Sequence, residues 1–179
     1  MTETLEWLPT TDHPDLLAPT VAEVAAQLAK DGAKVEVAAI DASDADTEAF
    51  CARYGEPLAE SANCVVVAGK RGGVVKYAAC LVLATTRADI NGLVRRHLDV
   101  RKVSFAPLDE VVAGTGMEYG GVTPLGLPAD WPVLLDAAVA AGERLVIGSG
   151  LRRSKLRVAG ATLAALPTAT VLDDLGVVR

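Results

Sequence analysis

Apolar residues recur at spacings of three and four along three stretches of the chain, which is the period of an amphipathic helix. These positions are Val21, Val24 and Leu28, then Phe50 and Tyr54, then Ile90, Leu93, Val94 and Leu98. Each stretch follows a Ser or Thr that has an acidic residue three positions later, a pattern that caps a helix N-terminus. The motifs Thr20-x-x-Glu23, Ser43-x-x-Asp46 and Thr86-x-x-Asp89 therefore predict three helix starts.

Two β-rich runs give the strongest strand signal. Residues 63–68 and 74–84 are joined by the segment 70–73, whose Gly-Gly pair is typical of a hairpin turn. From Tyr77 onward the second run is apolar at odd and even positions alike, so we expect a central strand covered on both faces. Shorter strands are predicted at residues 34–40, 102–106, 144–148, 154–158 and 170–172. In the run 154–158 the alternation puts Lys155 and Arg157 on an exposed face.

Strands and helices distributed in this way predict a mixed α and β fold. The chain has 179 residues, of which 51% are hydrophobic, so a sizeable core can be buried and general disorder is excluded. Its 17 Lys and Arg against 23 Asp and Glu give a formal net charge of −6. This balance excludes a globally cationic nucleic-acid-coating protein, and any contact with nucleic acid must come from a local patch.

Three cysteines, Cys51, Cys64 and Cys80, lie in apolar runs without a CxxC spacing. We expect buried reduced thiols, and with only His13 and His97 in the chain we expect no metal site and no cofactor. The N-terminal sequence is acidic and has no apolar signal core, and the longest apolar stretch is too short to span a bilayer. The expectation is a soluble, cytoplasmic protein that makes no membrane contact.

Common catalytic motifs do not match the sequence. The segment around Lys70 lacks the first Gly and the Ser or Thr of a phosphate-binding loop. The glycines from Gly114 onward follow a short helix predicted to begin at Pro107, whereas a dinucleotide-binding loop follows a strand. Ser149 lies in Gly-Ser-Gly, which is not the pattern of a nucleophile elbow. A Ser-His-Asp triad would need His13 or His97, both of which we expect at the surface.

The segment 114–132 contains five glycines and three prolines, too many for regular structure, and long ordered loops of this kind are often functional. Gly120 and Gly121 let the backbone approach a ligand without an intervening Cβ, and Pro124 fixes the exit from the turn. Closely spaced N–H groups in such a loop stabilise an oxyanion when they are aimed at it. The alternative is a plain connection between two elements.

A second candidate feature is a basic segment that follows the turn at residues 148–150. Its four cations are Arg152, Arg153, Lys155 and Arg157. On an acidic protein such a segment is a candidate phosphate-binding patch. The alternative is the solvated face of an edge strand.

The order of four segments along the chain resembles the YbaK / prolyl-tRNA synthetase-associated editing-domain family, whose members hydrolyse mischarged aminoacyl-tRNA. The segments are SANCVVV, TGMEYGGVTPLGLP, RLVIGSG and RRSKLRVAG, and the resemblance spans roughly residues 43–175. Its most specific part is the Gly-x-x-x-Pro loop of the family, whose two ends Gly120 and Pro124 match. The resemblance implies an α+β fold with a mixed, mostly antiparallel sheet flanked by helices. It also implies an editing-like domain at residues 43–179 that is preceded by an N-terminal helix–strand addition at residues 1–42.

The same resemblance implies a reaction in which water cleaves the aminoacyl ester, assisted by the terminal ribose hydroxyl of the tRNA. Such a reaction needs no Ser-His-Asp set. Many members carry a functionally important Lys on the first hairpin strand, and Asn63 stands at that position here. Asn orients an ester or a ribose by hydrogen bonds but supplies no charge. Lys76, on the second hairpin strand, is the candidate to replace the charge if it faces the pocket.

Two functions follow from this resemblance. The first is a trans-acting aminoacyl-tRNA deacylase of the tRNA-Pro editing type that binds the 3′ acceptor end, with a homodimer left open. Its expected catalytic residues are Gly120, Gly121, Pro124 and Asn63. Its expected substrate-binding residues, with apolar walls that select a small amino acid, are Val66, Lys76, Val122, Thr123, Leu125, Gly148, Ser149 and Gly150. Its expected contacts to acceptor-stem phosphates are Arg152, Arg153 and Lys155. The second function is a non-catalytic tRNA- or nucleotide-binding module on the same fold, which the loss of the Lys at Asn63 favours.

Overall fold

A computed structural model describes residues 2–179, which form eleven β-strands and six α-helices. The strands are β1 (Leu8–Pro9), β2 (Glu36–Ala39), β3 (Ala62–Arg71), β4 (Val74–Leu83), β5 (Thr86–Ala88), β6 (Lys102–Phe105), β7 (Val133–Asp136), β8 (Leu145–Gly148), β9 (Ser154–Val158), β10 (Ala169–Leu172) and β11 (Gly176–Val178). The helices are α1 (Pro19–Lys30), α2 (Thr47–Tyr54), α3 (Arg95–His97), α4 (Leu108–Thr115), α5 (Ala137–Ala140) and α6 (Gly160–Ala164). Short 3-10 turns lie at Thr10–Asp12, Pro14–Leu16, Ala42–Asp44 and Leu58–Glu60, and a π-helical turn at Ile90–Val94 runs into α3.

Two sheets form the body of the fold. The larger has the strand order β10-β7-β4-β3-β6. β3 is antiparallel to its neighbours β4 and β6, and β7 is parallel to its neighbours β10 and β4. The smaller has the order β1-β2-β9-β8 and is antiparallel throughout. A separate antiparallel pair joins β5 to β11. The predicted fold class, a mixed and mostly antiparallel sheet flanked by helices, is confirmed.

The predicted hairpin is the longest ladder of the larger sheet. β3 and β4 pair over ten residues each, and the turn between them is Gly72-Gly73, both with positive φ. That geometry matches the right-handed twist of the flanking strands and strongly favours glycine. β4 is a central strand, as predicted: Ala79 and Leu81 pack in one core cluster, and Ala78, Cys80 and Val82 pack in the cluster on the opposite face.

Two of the predicted helix starts are shifted along the chain. Asp46 caps α2 by accepting hydrogen bonds from two main-chain N–H groups, and Asp89 caps the π-helical turn in the same way. Ser43 lies in the preceding 3-10 turn, and Thr86 lies in β5. The acidic residue of each of these two motifs is therefore the cap, since its carboxylate accepts two otherwise unpaired N–H donors of the first turn.

The N-terminal segment packs on the same core. α1 starts at Pro19 and has no side-chain cap, so the predicted capping role of Thr20 is wrong. A proline at the first helical position needs no N–H partner and is already set to the helical φ. Val21 and Ala25 of this helix are fully buried in the main core cluster, and β2 pairs with β9 in the smaller sheet.

The two sheets separate around a cavity. A parallel bridge between Ser61 and Val146 joins the start of β3 to β8. On that edge β3 pairs with β6 only from Val67 onward, and the N–H of Ala106 donates to the carbonyl of Val66. The edge of β3 between these points has no strand neighbour in residues 2–179, and it forms one wall of the cavity.

Candidate active site

The cavity has a volume of about 410 Å³ and lies between β3, β8 and β9. Five of the expected catalytic and substrate-binding residues line it directly: Asn63, Val66, Gly120, Val122 and Gly148. Gly120 is one end of the Gly-x-x-x-Pro loop. The start of α2 and the start of α4 close two further sides. The cavity is therefore the place where the predicted loop and the predicted strand meet.

The Gly-x-x-x-Pro loop is locked against the turn that follows β8. The N–H of Gly150 donates to the carbonyl of Gly121 at 2.7 Å. A Cβ at Gly148 would lie 2.5 Å from the carbonyl oxygen of Val122, and a Cβ at Gly121 would lie 2.7 Å from that of Leu151. These contacts require glycine because two backbones touch, so Gly121 is a packing position of the loop.

The loop offers fewer donors to a ligand than the sequence suggested. The N–H of Gly121 is used within the loop, since it donates to the carbonyl of Glu118 at 3.0 Å. The N–H groups of Gly120 and Val122 donate to no acceptor among residues 2–179, and both residues line the cavity. The N–H groups of Gly120 and Val122 are thus free for a ligand, whereas that of Gly121 is not.

Five other expected site residues lie away from the cavity wall. Leu125 is fully buried in the main core cluster. The Ser149 hydroxyl is held by Ser154, and Gly150 packs on α1. Neither Thr123 nor Pro124 lines the cavity, although the buried hydroxyl of Thr123 has no hydrogen-bond partner in the described chain. These residues hold the loop in place, because each faces the core behind it.

Asn63 is oriented by the start of α2. The hydroxyl of Thr47 donates to the Oδ1 atom of Asn63 at 2.6 Å, and both residues line the cavity. With its oxygen occupied, Asn63 presents its amide N–H₂ group to a ligand. Lys76, the expected substitute for the missing charge, does not reach this place: its Nζ atom donates to the carbonyl of Leu98, outside the cavity.

A different lysine lies in the cavity wall. Lys155 is only 6% exposed, so its predicted position on an exposed face is wrong, while its predicted contact with tRNA phosphates stays a prediction. Its Nζ atom donates to the carbonyl of Ala45 at 2.7 Å and lies 5.4 Å from the ring centre of Phe50. Burial lowers the pKa of Lys155 to about 8, although the nearby Cys51 and Asp46 oppose that shift. One protein acceptor leaves two of its three ammonium donors for a ligand or water.

The neighbouring arginines hold the site together. The guanidinium of Arg152 donates to the carbonyls of Tyr119 and Ala42, each at 3.0 Å, and so ties the glycine-rich loop to the segment before α2. The guanidinium of Arg153 donates to the carbonyl of Asp15. The basic segment predicted as a phosphate patch is therefore largely engaged with its own chain.

The thiols do not fit nucleophilic chemistry. All three cysteines are free, as expected; Cys51 and Cys80 are buried, and Cys64 is partly buried and lines the cavity. Burial raises the pKa of Cys64 far above its usual range and that of Cys80 to about 12. A thiol that stays protonated is a poor nucleophile.

Two exposed aromatic side chains stand at the mouth of the cavity. Phe105 at the end of β6 is 65% exposed, and Tyr119 in the glycine-rich loop is 63% exposed. The chain has only seven aromatic residues, so two exposed at one opening is a marked concentration. Sequence reasoning missed both rings, together with Thr47 and the buried position of Lys155. Tyr119 and Lys155 lie within segments that carry the resemblance, but nothing in the local sequence shows which side chains face the cavity.

Residues 2–179 contain no cluster of three or more His, Cys, Asp or Glu side chains that could hold a metal ion. No helix in this range is both long enough and apolar enough to cross a membrane.

Comparison with known proteins agrees with this geometry. The model of the aminoacyl-tRNA editing domain matches residues 42–166. No curated protein matches the chain. Among solved structures, a candidate trans-editing enzyme for prolyl-tRNA synthetase is 26% identical with a TM-score of 0.70, over 88% of this chain and 97% of that one.

Two other solved structures share the fold. A protein from work on epitope backbone grafting by computational design is 25% identical with a TM-score of 0.71, over 88% of this chain and 97% of that one. The hypothetical protein APE2540 is 20% identical with a TM-score of 0.74, over 87% and 99%. Because the family model covers well over half of the sequence, the chain belongs to the aminoacyl-tRNA editing domain family.

Proposed function

We propose that this protein is a trans-acting deacylase that hydrolyses the ester of mischarged aminoacyl-tRNA of the tRNA-Pro type. The observation that carries the proposal is a cavity with a buried ammonium, Lys155, in its wall and two exposed aromatic rings at its mouth. A buried cation suits an acyl carbonyl, and the exposed rings suit an unpaired base. The tRNA-Pro assignment draws on the similarity to the candidate trans-editing enzyme for prolyl-tRNA synthetase.

The terminal adenosine would bind at the cavity mouth. Unpaired bases stack on aromatic side chains, and each such stack contributes about 1–3 kcal/mol. Phe105 and Tyr119 offer these platforms. The guanidinium of Arg152 donates to the carbonyl of Tyr119 and lies 6.0 Å from the centre of the Tyr119 ring, so it holds this residue in place. The amide N–H₂ of Asn63 would then hydrogen-bond the ribose or the ester, since Thr47 occupies its oxygen.

The ester carbonyl would lie against Lys155 and the loop. Water adds to the carbonyl carbon and forms the new C–O bond, and the negative charge that develops on the oxygen is stabilised by the ammonium and the N–H groups of Gly120 and Val122. The bond from carbon to the ribose oxygen then breaks, and that oxygen leaves with a proton. The neighbouring hydroxyl of the terminal ribose assists the water, so no side-chain nucleophile is needed.

The cavity walls favour a small aminoacyl group. Val66, Ala106 and Val122 present short apolar side chains to the cavity, and a pocket of this kind discriminates by about 1–3 kcal/mol for each methylene group. We infer that the protein acts in the cytoplasm, where its substrate is made. The boundary at residue 42 and the homodimer remain proposals.

The decisive experiment is a deacylation assay with a panel of tRNAs charged with different amino acids. The proposal predicts loss of the ester from at least one mischarged tRNA, at a rate well above uncatalysed hydrolysis. Binding of tRNA without loss of any ester would instead support a non-catalytic tRNA-binding module, an alternative suggested by Asn63 at the position of the family Lys. If the protein neither binds tRNA nor hydrolyses any ester, both functions are overturned.

A further inference from the structure

The charge of the chain is strongly segregated. Residues 69–105 contain eight Lys and Arg but only two Asp and Glu, whereas the rest of the chain contains nine Lys and Arg and 21 Asp and Glu. The segment therefore carries a net charge of +6 within a protein of net charge −6. A local cationic surface on an otherwise acidic protein is the electrostatic pattern of a polyanion-binding site.

Six of these cations form one exposed group at the far end of the β3–β4 hairpin and after the π-helical turn, here called the basic cluster. They are Lys70, Arg71, Arg95, Arg96, Arg101 and Lys102. Lys70, Arg71, Arg95 and Arg101 line a common depression. Arg71 is paired with Asp99, while the ammonium or guanidinium groups of Lys70, Arg96, Arg101 and Lys102 bond to no group among residues 2–179.

Two lysines of the cluster face each other. Lys70 on β3 and Lys102 on β6 are direct cross-strand partners in the antiparallel ladder. Like charges directly opposite each other destabilise a sheet. This arrangement costs stability in the free protein and becomes favourable when an anion lies between or above the two ammonium groups.

The active-site cavity adjoins a second cavity, and one hydrogen bond links the wall of that second cavity to the basic cluster. The second cavity, of about 420 Å³, shares Asn63, Val65, Phe105 and Arg179 with the first. Asn91 lines its far side, and the guanidinium of Arg95, one helical turn later, donates to the carbonyl of Asn91. Along β3 the seven residue-to-residue steps from Asn63 to Lys70 span roughly 24 Å. That length suits the few unpaired nucleotides that separate a terminal adenosine from the first base pairs of an acceptor stem.

We propose that the second cavity and the basic cluster form the docking surface for the tRNA beyond its terminal nucleotide. The second cavity receives the unpaired nucleotides next to the terminal adenosine, and the basic cluster contacts phosphates of the acceptor duplex. This inference rests on the proposed function, because it takes the first cavity as the place of the terminal adenosine. Contacts of this kind read backbone and shape and give salt-dependent affinity without base specificity.

The test is a pair of matched charge reversals. The double variant Lys70→Glu/Arg101→Glu removes two cations from the basic cluster, and Lys30→Glu/Lys34→Glu makes the same charge change on exposed residues elsewhere. Two assays are run: binding of uncharged tRNA as a function of salt, and hydrolysis of both aminoacyl-tRNA and the small ester aminoacyl-adenosine. Thermal unfolding reports on the fold, and Lys70→Glu should not lower the unfolding temperature because the new carboxylate would face the ammonium of Lys102.

The proposal predicts at least about tenfold weaker tRNA binding for the cluster variant at moderate salt, and a salt slope smaller by about two, one for each lost phosphate contact. Its KM for aminoacyl-tRNA rises by a similar factor. Hydrolysis of aminoacyl-adenosine stays unchanged, as do tRNA binding and KM in the control variant. Equal tRNA binding by both double variants would overturn the docking surface and leave the deacylase intact. If the wild type hydrolyses no ester, the proposed deacylase function is overturned, while the binding assay still tests the proposed docking surface.

Discussion

The ammonium of Lys155 lies 2.7 Å from the carbonyl oxygen of Ala45, so a strand of the smaller sheet is linked to the segment just before α2 inside the cavity wall. Most lysines avoid such burial because the charged form loses hydration. A cation kept there at a cost to stability indicates a use in binding or chemistry. This contact therefore connects the local fold to the proposed reaction.

Replacing Lys155 with Met separates its chemical use from its packing. Met keeps the length and apolar stem of the side chain but removes the ammonium, so we expect deacylation to fall by about 100-fold or more, the usual effect of losing an oxyanion donor. The free energy of unfolding at pH 7 should stay within about 1 kcal/mol of the wild type or rise, since the desolvation of a buried charge is relieved. Single-turnover deacylation and chemical denaturation measure the two effects.

Lys155→Arg is the matched control, because it retains a positive charge. Partial activity in Lys155→Arg with loss of activity in Lys155→Met would show that charge is what the cavity needs. A Met variant that is strongly destabilised, or one that turns over at the wild-type rate, would assign Lys155 a structural role.

The pH dependence of the reaction should report the titration of Lys155. Burial lowers the pKa of Lys155 to about 8, and the ammonium form is the one that stabilises the oxyanion. After subtraction of uncatalysed hydrolysis, the enzymatic rate should fall as the pH rises through about 8. The fall should be absent from the residual activity of Lys155→Arg, whose guanidinium stays charged. A rate that rises through the same range would point to the neutral amine acting as a base.

Stability should depend on pH in the opposite direction. The pKa of Lys155 is about 8 in the folded chain and near 10.5 when unfolded, so between these values the unfolded state binds more protons. The contribution of this residue to the free energy of unfolding therefore rises by about 3 kcal/mol from pH 8 to pH 10.5 and is constant below pH 8. The measurable quantity is the difference between wild type and Lys155→Met in denaturation series at several pH values. A difference independent of pH would contradict the lowered pKa.

Removing the two rings at the cavity mouth should weaken binding without harming the fold. Phe105→Ala and Tyr119→Ala each remove a stacking platform worth about 1–3 kcal/mol, so KM for aminoacyl-tRNA should rise about 5- to 150-fold. Because both side chains are more than 60% exposed, the unfolding temperature should change little. Phe105→Trp and Tyr119→Phe are the controls, since they keep a ring and should keep binding. Unchanged KM in both Ala variants would place the base elsewhere.

Asn63 and Lys76 should behave differently although both lie on the hairpin. Asn63→Ala removes an amide from the cavity wall and leaves the hydroxyl of Thr47 without its acceptor, so deacylation of aminoacyl-adenosine should fall about tenfold or more. Lys76→Ala should leave this reaction unchanged, because the ammonium bonds the carbonyl of Leu98 outside the cavity. A loss of activity in Lys76→Ala equal to that in Asn63→Ala would instead support Lys76 as the residue that replaces the charge of the family Lys.

The local sequence carried enough information for the elements but less for the site. The Gly72-Gly73 turn and the apolar run of β4 predicted the hairpin, because a glycine turn and a buried strand are each recognised from residues that are adjacent in the sequence. The same alternation failed at Lys155, since its pattern with Arg157 is that of an exposed face. Its burial depends on α2, more than a hundred residues earlier in the chain, covering that face of β9.

The loop shows the same division. Gly120 and Gly121 are adjacent and look equivalent in sequence, yet only Gly120 lines the cavity, and the backbone of Leu151 fills the space beside Gly121. Gly120 has a positive φ, and a Cβ there would lie 2.6 Å from the guanidinium of Arg152, so the two glycines are required for different reasons. Only the tertiary contact distinguishes them, so a substitution at Gly121 tests the fold and not the chemistry.

The most direct test of the central claim is a crystal structure of the protein with a non-hydrolysable amide analogue of 3′-aminoacyl-adenosine. We predict that the adenine stacks at Phe105 or Tyr119 and that the acyl carbonyl oxygen accepts a hydrogen bond from Nζ of Lys155 or from the N–H groups of Gly120 and Val122. An analogue that binds at another place, with the cavity of β3 and β9 filled by the protein's own side chains, would contradict the account.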